Sequence, residues 1–162
     1  MKKLIFIFSV CMTVIFFTRT MGQAPKYTDI TVFFVDRYMH CLIPVNHSIP
    51  ISSTQKQAEE IIKILSAPIK EDSSFVQYSS FKQDKINVKI QGETAVVDLS
   101  QKVIEIVPPD RENQQMFIYQ IVNSLCSIPE IRYVKVIVDE ESGENPLTFT
   151  DLREIFSSNY GI

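Results

Sequence analysis

Few residues in this chain combine the types and the spacing that chemistry requires. The two histidines, His40 and His47, come first, because neutral imidazole is a common metal ligand. Seven residues apart on one extended segment, they point to opposite faces and cannot share an ion, so both are expected as solvent-facing polar side chains. Cys41 and Cys126 are the second pair. In an oxidising compartment they could join as a disulfide. The competing reading keeps Cys126 as a small buried residue of a helix and Cys41 beside a strand end. Pairing needs Cα atoms within about 7 Å, a distance that spacing does not fix, so both readings stay open.

Three further groups were weighed for chemistry. Ser73, Ser74, Ser79 and Ser80 offer hydroxyls, but nothing near them in the sequence supplies a partnered base, and a loop is expected there. The acidic run Asp139-Glu140-Glu141-Ser142-Gly143-Glu144-Asn145 departs from the EF-hand spacing and reads as a solvated turn. Tyr38, Tyr78, Phe81 and Tyr119 could line a groove for a small ligand or a cell-wall polymer, with burial in the core as the competing fate. No phosphate loop, Cys/His metal spacing or nucleophile–base set is present in the sequence. The expectation is a non-enzyme with no catalytic residue, no cofactor and no metal.

Composition narrows the partners. A chain of 162 residues with 45% hydrophobic content suits one domain with a full core. The net charge is −3 and no basic cluster occurs, which argues against nucleic acid. Four glycines are too few for a Gly-rich spacer or phosphate cradle. At the N-terminus, Lys2 and Lys3 precede an apolar run from Leu4 to Phe17, followed by polar Thr18-Arg19-Thr20. That order is a secretory signal, with cleavage expected before Gln23 because Thr20 and Gly22 are small. The run has 14 residues, short of the roughly 18–20 that span a bilayer, and an uncleaved anchor is the alternative. Cys11 lies inside the run rather than closing it and is not read as a lipid attachment site. The expected organisation is a signal over residues 1–22, a leader over 23–28 and one domain over 29–158.

The elements follow from periodicity. Residues 114–140 dominate: Ile118, Ile121, Val122 and Leu125 form a helical stripe, with Gln120, Asn123, Ser124 and Ser127 expected toward water. Pro129 should stop that helix at Ile128, and Ile131–Val138 is apolar enough on both faces for a strand inside a sheet. Asp29–Asp36 reads as a strand turning back into Met39–Ser48, where Pro44 predicts an edge or a bulge. Ser52, Ser53 or Thr54 should cap a helix over 55–66, with Ala58, Ile61, Ile62 and Leu65 inward and a Glu59–Lys63 pair outside. Gly92-Glu93 predicts a type II′ hairpin pairing Ile90 with Ala95, Val88 with Val97 and Ile86 with Leu99. Gln101–Val107 should be a helical turn or short strand, and Asp110 a helix cap. Leu147–Phe149 is expected as a last strand and Asp151–Ser158 as a helical turn. The sum is β-β-α-β-β-α-β-(β), an α+β fold with a mixed sheet and two helices on one face.

In this order the residues resemble the GerMN domain, the sporulation and spore germination module. The similar phrases are Ile30-Thr31-Val32-Phe33-Phe34, Leu42-Ile43-Pro44-Val45, Ile64-Leu65-Ser66-Ala67-Pro68 and Thr94-Ala95-Val96-Val97-Asp98-Leu99-Ser100. Gln120-Ile121-Val122-Asn123-Ser124-Leu125 and the strand after Pro129 complete them, over roughly residues 29–150. GerMN domains look like the ring-building motifs of secretion-system and spore-channel proteins, small units that associate side by side. The resemblance implies a non-enzymatic, exported cell-envelope scaffold in the periplasm or an equivalent extracytoplasmic space. Its partners would be envelope proteins or further copies of itself, with no nucleic acid, and with membrane contact only through an uncleaved N-terminal segment. A small-ligand or peptidoglycan-binding module of the envelope is the alternative.

Overall fold

The computed structural model describes residues 26–38, 41–68, 74–76, 86–140 and 145–161. Residues 1–25, which hold the expected signal and the first part of the expected leader, lie outside them, as do His40, Tyr78, Phe81, Ser73, Ser79, Ser80 and residues 141–144 of the acidic turn; residues 27 and 28, assigned from the sequence to the leader, belong to the first strand.

Strand β1 (Tyr27–Asp36) pairs antiparallel with β2 (Leu42–Pro50) on one side and, at its end, with the two-residue β3 (Phe75–Val76) on the other. The order β2-β1-β3 makes β2 an edge strand, as Pro44 requires. Pro44 lies opposite Phe33, whose N–H donates away from β2 to Ser124 Oγ at 2.8 Å. No ladder bond runs between that pair, so the missing proline N–H leaves nothing unpaired.

Helix α1 (Thr54–Ser66) is capped by Ser53, which accepts from Lys56 N, and ends at Ala67-Pro68. Ala58, Ile61, Ile62 and Leu65 are buried, the stripe expected from their spacing. The surface pairing differs: Lys63 meets Glu60 at 3.1 Å, one position nearer than Glu59, whose carboxylate accepts from Gln55 Nε2 instead.

The second sheet has order β4-β5-β6-β7. Strands β4 (Ile86–Gln91) and β5 (Thr94–Leu99) form the hairpin in the expected register. Gly92 has φ +62° while Glu93 keeps a negative φ, the signature of type II′ rather than I′. A four-residue helix α2 (Gln101–Ile104) buries Val103 and Ile104, and helix α3 (Arg111–Leu125) starts where Asp110 accepts from Asn113 N at 2.9 Å. The crossover through these helices lets β6 (Tyr133–Val138) join β5 in parallel. Strand β7 (Ile155–Phe156) closes the sheet antiparallel to β6, which therefore lies inside the sheet.

The α+β class stands, with the strands divided between two sheets rather than gathered into one. The division changes the surroundings of α3. Gln120, Asn123 and Ser124, expected at the surface, are buried, and α3 packs against β1 as well as β6. A helix covered by two layers has no wet face, so its polar residues must find protein partners. The helix also ends one turn early: Leu125 is its last residue, and Ser127 Oγ donates to the Ser124 carbonyl that another helical turn would have used. Residues 145–152 are a loop rather than a strand and a helical turn. Asn145 Nδ2 donates to the carbonyls of Leu147 and Thr150, and its Oδ1 accepts from Leu152 N. The last strand falls at Ile155–Phe156 instead.

Candidate interaction surface

Strand alternation gives the second sheet two unlike faces. Ile86, Val88, Ala95, Val97, Leu99, Val134 and Val136 turn inward and are buried. The outward residues line up across the strands in three rows. The middle row runs Lys89, Val96, Lys135, Ile155; one flank carries Gln91, Thr94 and Tyr133, the other Asn87, Asp98 and Ile137. Tyr133 is 45% and Ile155 61% exposed, large apolar groups on a face otherwise suited to water. A shallow cleft of about 260 Å³ crosses this face between Asn87, Lys89, Gln91, Val96, Asp98, Ile137 and Glu140. Its floor is Val96 and Ile137, and its rim carries both charge signs.

One end of the face is held by a turn with two left-handed residues, Asp139 (φ 49°) and Glu140 (φ 64°). Asp98 Oδ1 accepts from Glu140 N, and Asp139 Oδ2 from Gln101 N, which fixes the turn against β5 and α2. At the other end Arg132 meets Glu93 at 3.2 Å on the surface.

The opposite side of the molecule is sealed by side chains acting as strand partners. Phe33 N–H donates to Ser124 Oγ and Thr31 N–H to Ser127 Oγ, so α3 occupies the free edge of β1. On the edge of β4, Gln55 Nε2 donates to Val88 O at 2.7 Å and its Oε1 accepts from Ile90 N at 3.0 Å. Each pairing satisfies a main-chain group that would otherwise invite another strand.

The residues singled out from the sequence do not converge. Cys41 and Cys126 stand as separate free thiols rather than a disulfide. Burial pushes the Cys126 thiol up, with a smaller opposing effect from the Ser158 N–H. A raised thiol is protonated at neutral pH and a poor nucleophile. His47 is half-buried with its ring 6.2 Å from that of Phe34, not solvent-facing, because it shares the inner face of β2 with Ile49. Tyr38 is exposed, and Tyr119 packs edge-on against Phe156 rather than lining a groove. Among the described residues no group of three or more His, Cys, Asp or Glu could hold a metal ion. None of their helices is long and apolar enough to cross a membrane. The polar seals at Gln55, Asn123 and Ser124 were missed by sequence reasoning. The available signal was a polar cluster in a helix already bounded by two apolar strands.

Two small sheets laid around two longer helices define a compact α+β module without a catalytic cluster among its described residues. The chain belongs to the Germane family, described as sporulation and spore germination, whose model matches residues 31–144. The tandem GerMN domains of the sporulation protein GerM from Bacillus subtilis have the same fold: TM-score 0.58, 18% identity, covering 87% of this chain and 49% of that one. This chain thus spans about half of that two-domain structure. A candidate lipoprotein from Clostridium perfringens is similar at TM-score 0.52 and 15% identity, covering 85% of this chain and 93% of that one. The first GerMN domain of GerM taken alone gives 0.49 at 17% identity, over 70% and 84%. No curated protein matches the chain.

Proposed function

We propose that this protein is a non-enzymatic scaffold of the cell envelope, exported by its N-terminal signal and working by protein–protein contact through the outer face of the second sheet. The observation that carries the reading is the pair Tyr133 and Ile155, exposed in adjacent rows of a sheet face whose other side is fully packed. Exposed aromatic and aliphatic side chains flanked by polar and charged ones follow the apolar-centre, polar-rim pattern of interfaces. The envelope assignment rests on the signal-like order of Lys2, Lys3 and Leu4–Phe17 and on the family's sporulation and germination description.

The second reading, a small-ligand or peptidoglycan-binding module, would use the cleft at Val96 and Ile137. Its volume of about 260 Å³ falls below the ~300–1,000 Å³ usual for ligand pockets, and no aromatic ring lines it. The contact reading is therefore preferred.

Photoreactive residues placed at Tyr133 and at Ile155 in intact cells distinguish the two. Capture of one or two recurrent envelope proteins, or of a second copy, from these positions and not from Ala67 is the expected result. Absence of any capture above background, together with binding of purified protein to peptidoglycan fragments, would replace the scaffold with the ligand-binding module.

A further inference from the structure

Asn123 is wholly buried on α3, yet its side-chain amide is taken up by a segment far along the chain. Nδ2 donates to Asn159 O at 2.8 Å, and Oδ1 accepts from Asn159 N at 2.8 Å. A carboxamide presenting one donor and one acceptor side by side reproduces the edge of a β-strand. It reads main chain and ignores the side chain of the residue it holds. On either side of Asn159 the contacts continue. The Tyr160 ring stacks on Phe33 with centroids 5.5 Å apart, and the Ser158 N–H meets the Cys126 thiol.

The two sides of this contact are unequal. Phe33 and Asn123 are buried and Cys126 is half-buried, fixed on β1 and α3. Residues 157–161 are exposed throughout and belong to no strand or helix; Tyr160 is 63% exposed even while stacked. Side chains fixed on β1 and α3 thus hold an irregular segment by main-chain bonds and one ring. The receptor residues fall within the family-matched range 31–144, and the segment filling it falls beyond.

We propose that Phe33, Asn123 and Cys126 form a peptide slot for an extended main chain followed by an aromatic residue. Ser158–Tyr160 fills it within one molecule, and the same segment of a second copy fills it between molecules. The second copy is the occupant because the complementary segment is part of this chain, and contacts within and between copies are identical. Asn159 lies three residues past the anchored Phe156, a reach of about 10 Å at ~3.3 Å per residue. So short a tether requires the two slots to face each other, which favours reciprocal exchange about a two-fold axis. The slot stands on geometry alone and does not depend on where the protein works.

A thiol trap in the full chain tests it. Both partners carry Cys11→Ser and Cys41→Ser; the donor adds Cys126→Ser and Ser158→Cys, and the acceptor keeps Cys126. After mixing and oxidation, a disulfide-linked heterodimer is expected to rise with concentration. An excess of synthetic peptide spanning Glu154–Gly161 should suppress the yield by tenfold or more. A yield no greater than from a donor bearing Gln91→Cys instead of Ser158→Cys overturns the proposal. So does a yield indifferent to the peptide.

Discussion

The seam between α3 and β1 and the outer face of the second sheet solve the same problem in opposite ways. Both are places where strands meet no further strand. At the seam side chains meet main-chain groups: Ser124 and Ser127 accept from the Phe33 and Thr31 N–H on β1, and Asn123 pairs with Asn159 on the segment beyond β7. On the outer face the groups left over are side chains, and Tyr133 and Ile155 stay open to solvent. An unmet buried N–H costs far more than an exposed apolar ring, which explains which surface the fold closes and which it leaves open. The seam therefore satisfies buried main-chain groups, whereas the open face leaves apolar side chains in solvent.

The contrast predicts unequal responses to mutation. Ser124→Ala leaves Phe33 N–H buried without an acceptor and should cost about 2–3 kcal/mol, read as the loss of unfolding free energy in urea. A loss under about 0.5 kcal/mol would mean that β1 finds another partner and that the seam is not sealed by this residue. Gln55→Ala should cost about 1–2 kcal/mol, since the groups it meets on β4 are only partly buried and water can replace it. Equal losses at the two sites would remove the distinction between a buried and an edge seal.

The legible parts of this architecture are those governed by local physics. The hairpin register could be read because Gly92 permits a φ of +62° and because a one-residue slip would turn Val88 and Val97 outward. The cap at Asp110 and the inward stripe of α1 were legible for similar reasons. The polar face of α3 was misread because polarity was equated with exposure. Nothing local reveals that β1, some ninety residues earlier, needs the hydroxyl of Ser124. His47 was misplaced similarly, by assigning a polar type to water when its position on β2 aligned it with Ile49. The candidate surface was half legible: the sequence separated wet from dry strand positions, but the neighbours of Tyr133 and Ile155 depend on the parallel pairing of β6 and the late arrival of β7.

A third test isolates the open face. Tyr133→Thr combined with Ile155→Thr keeps strand-favouring side chains and removes only exposed apolar surface, so stability should stay within about 0.5 kcal/mol. Cross-linked partners seen in cells should fall several-fold in the same variant. A large loss of stability would show these residues to be structural and bring the two regions closer together.

The smallest effect is expected at the approach to β7, where Arg153 grips the Asp151 carboxylate with Nε at 2.8 Å and a terminal nitrogen at 2.7 Å. Those charge-assisted bonds hold the Asp151 carboxyl down to about 2 from 3.8, its ordinary value. Since the folded value lies below the unfolded one, the contact stabilises the fold above about pH 4, and its contribution is lost as pH falls through about 2. The pair lies at the surface, so salt and water keep the contribution small. Comparing urea midpoints of the unsubstituted chain and Asp151→Asn should show a gap that is constant near neutrality and narrows between pH 4 and 2. No gap at any pH would mean that Asp151 acts through the Arg153 main-chain N–H alone, as a neutral side chain also could. This rim would then be held like the seam, by hydrogen bonding to the main chain rather than by charge.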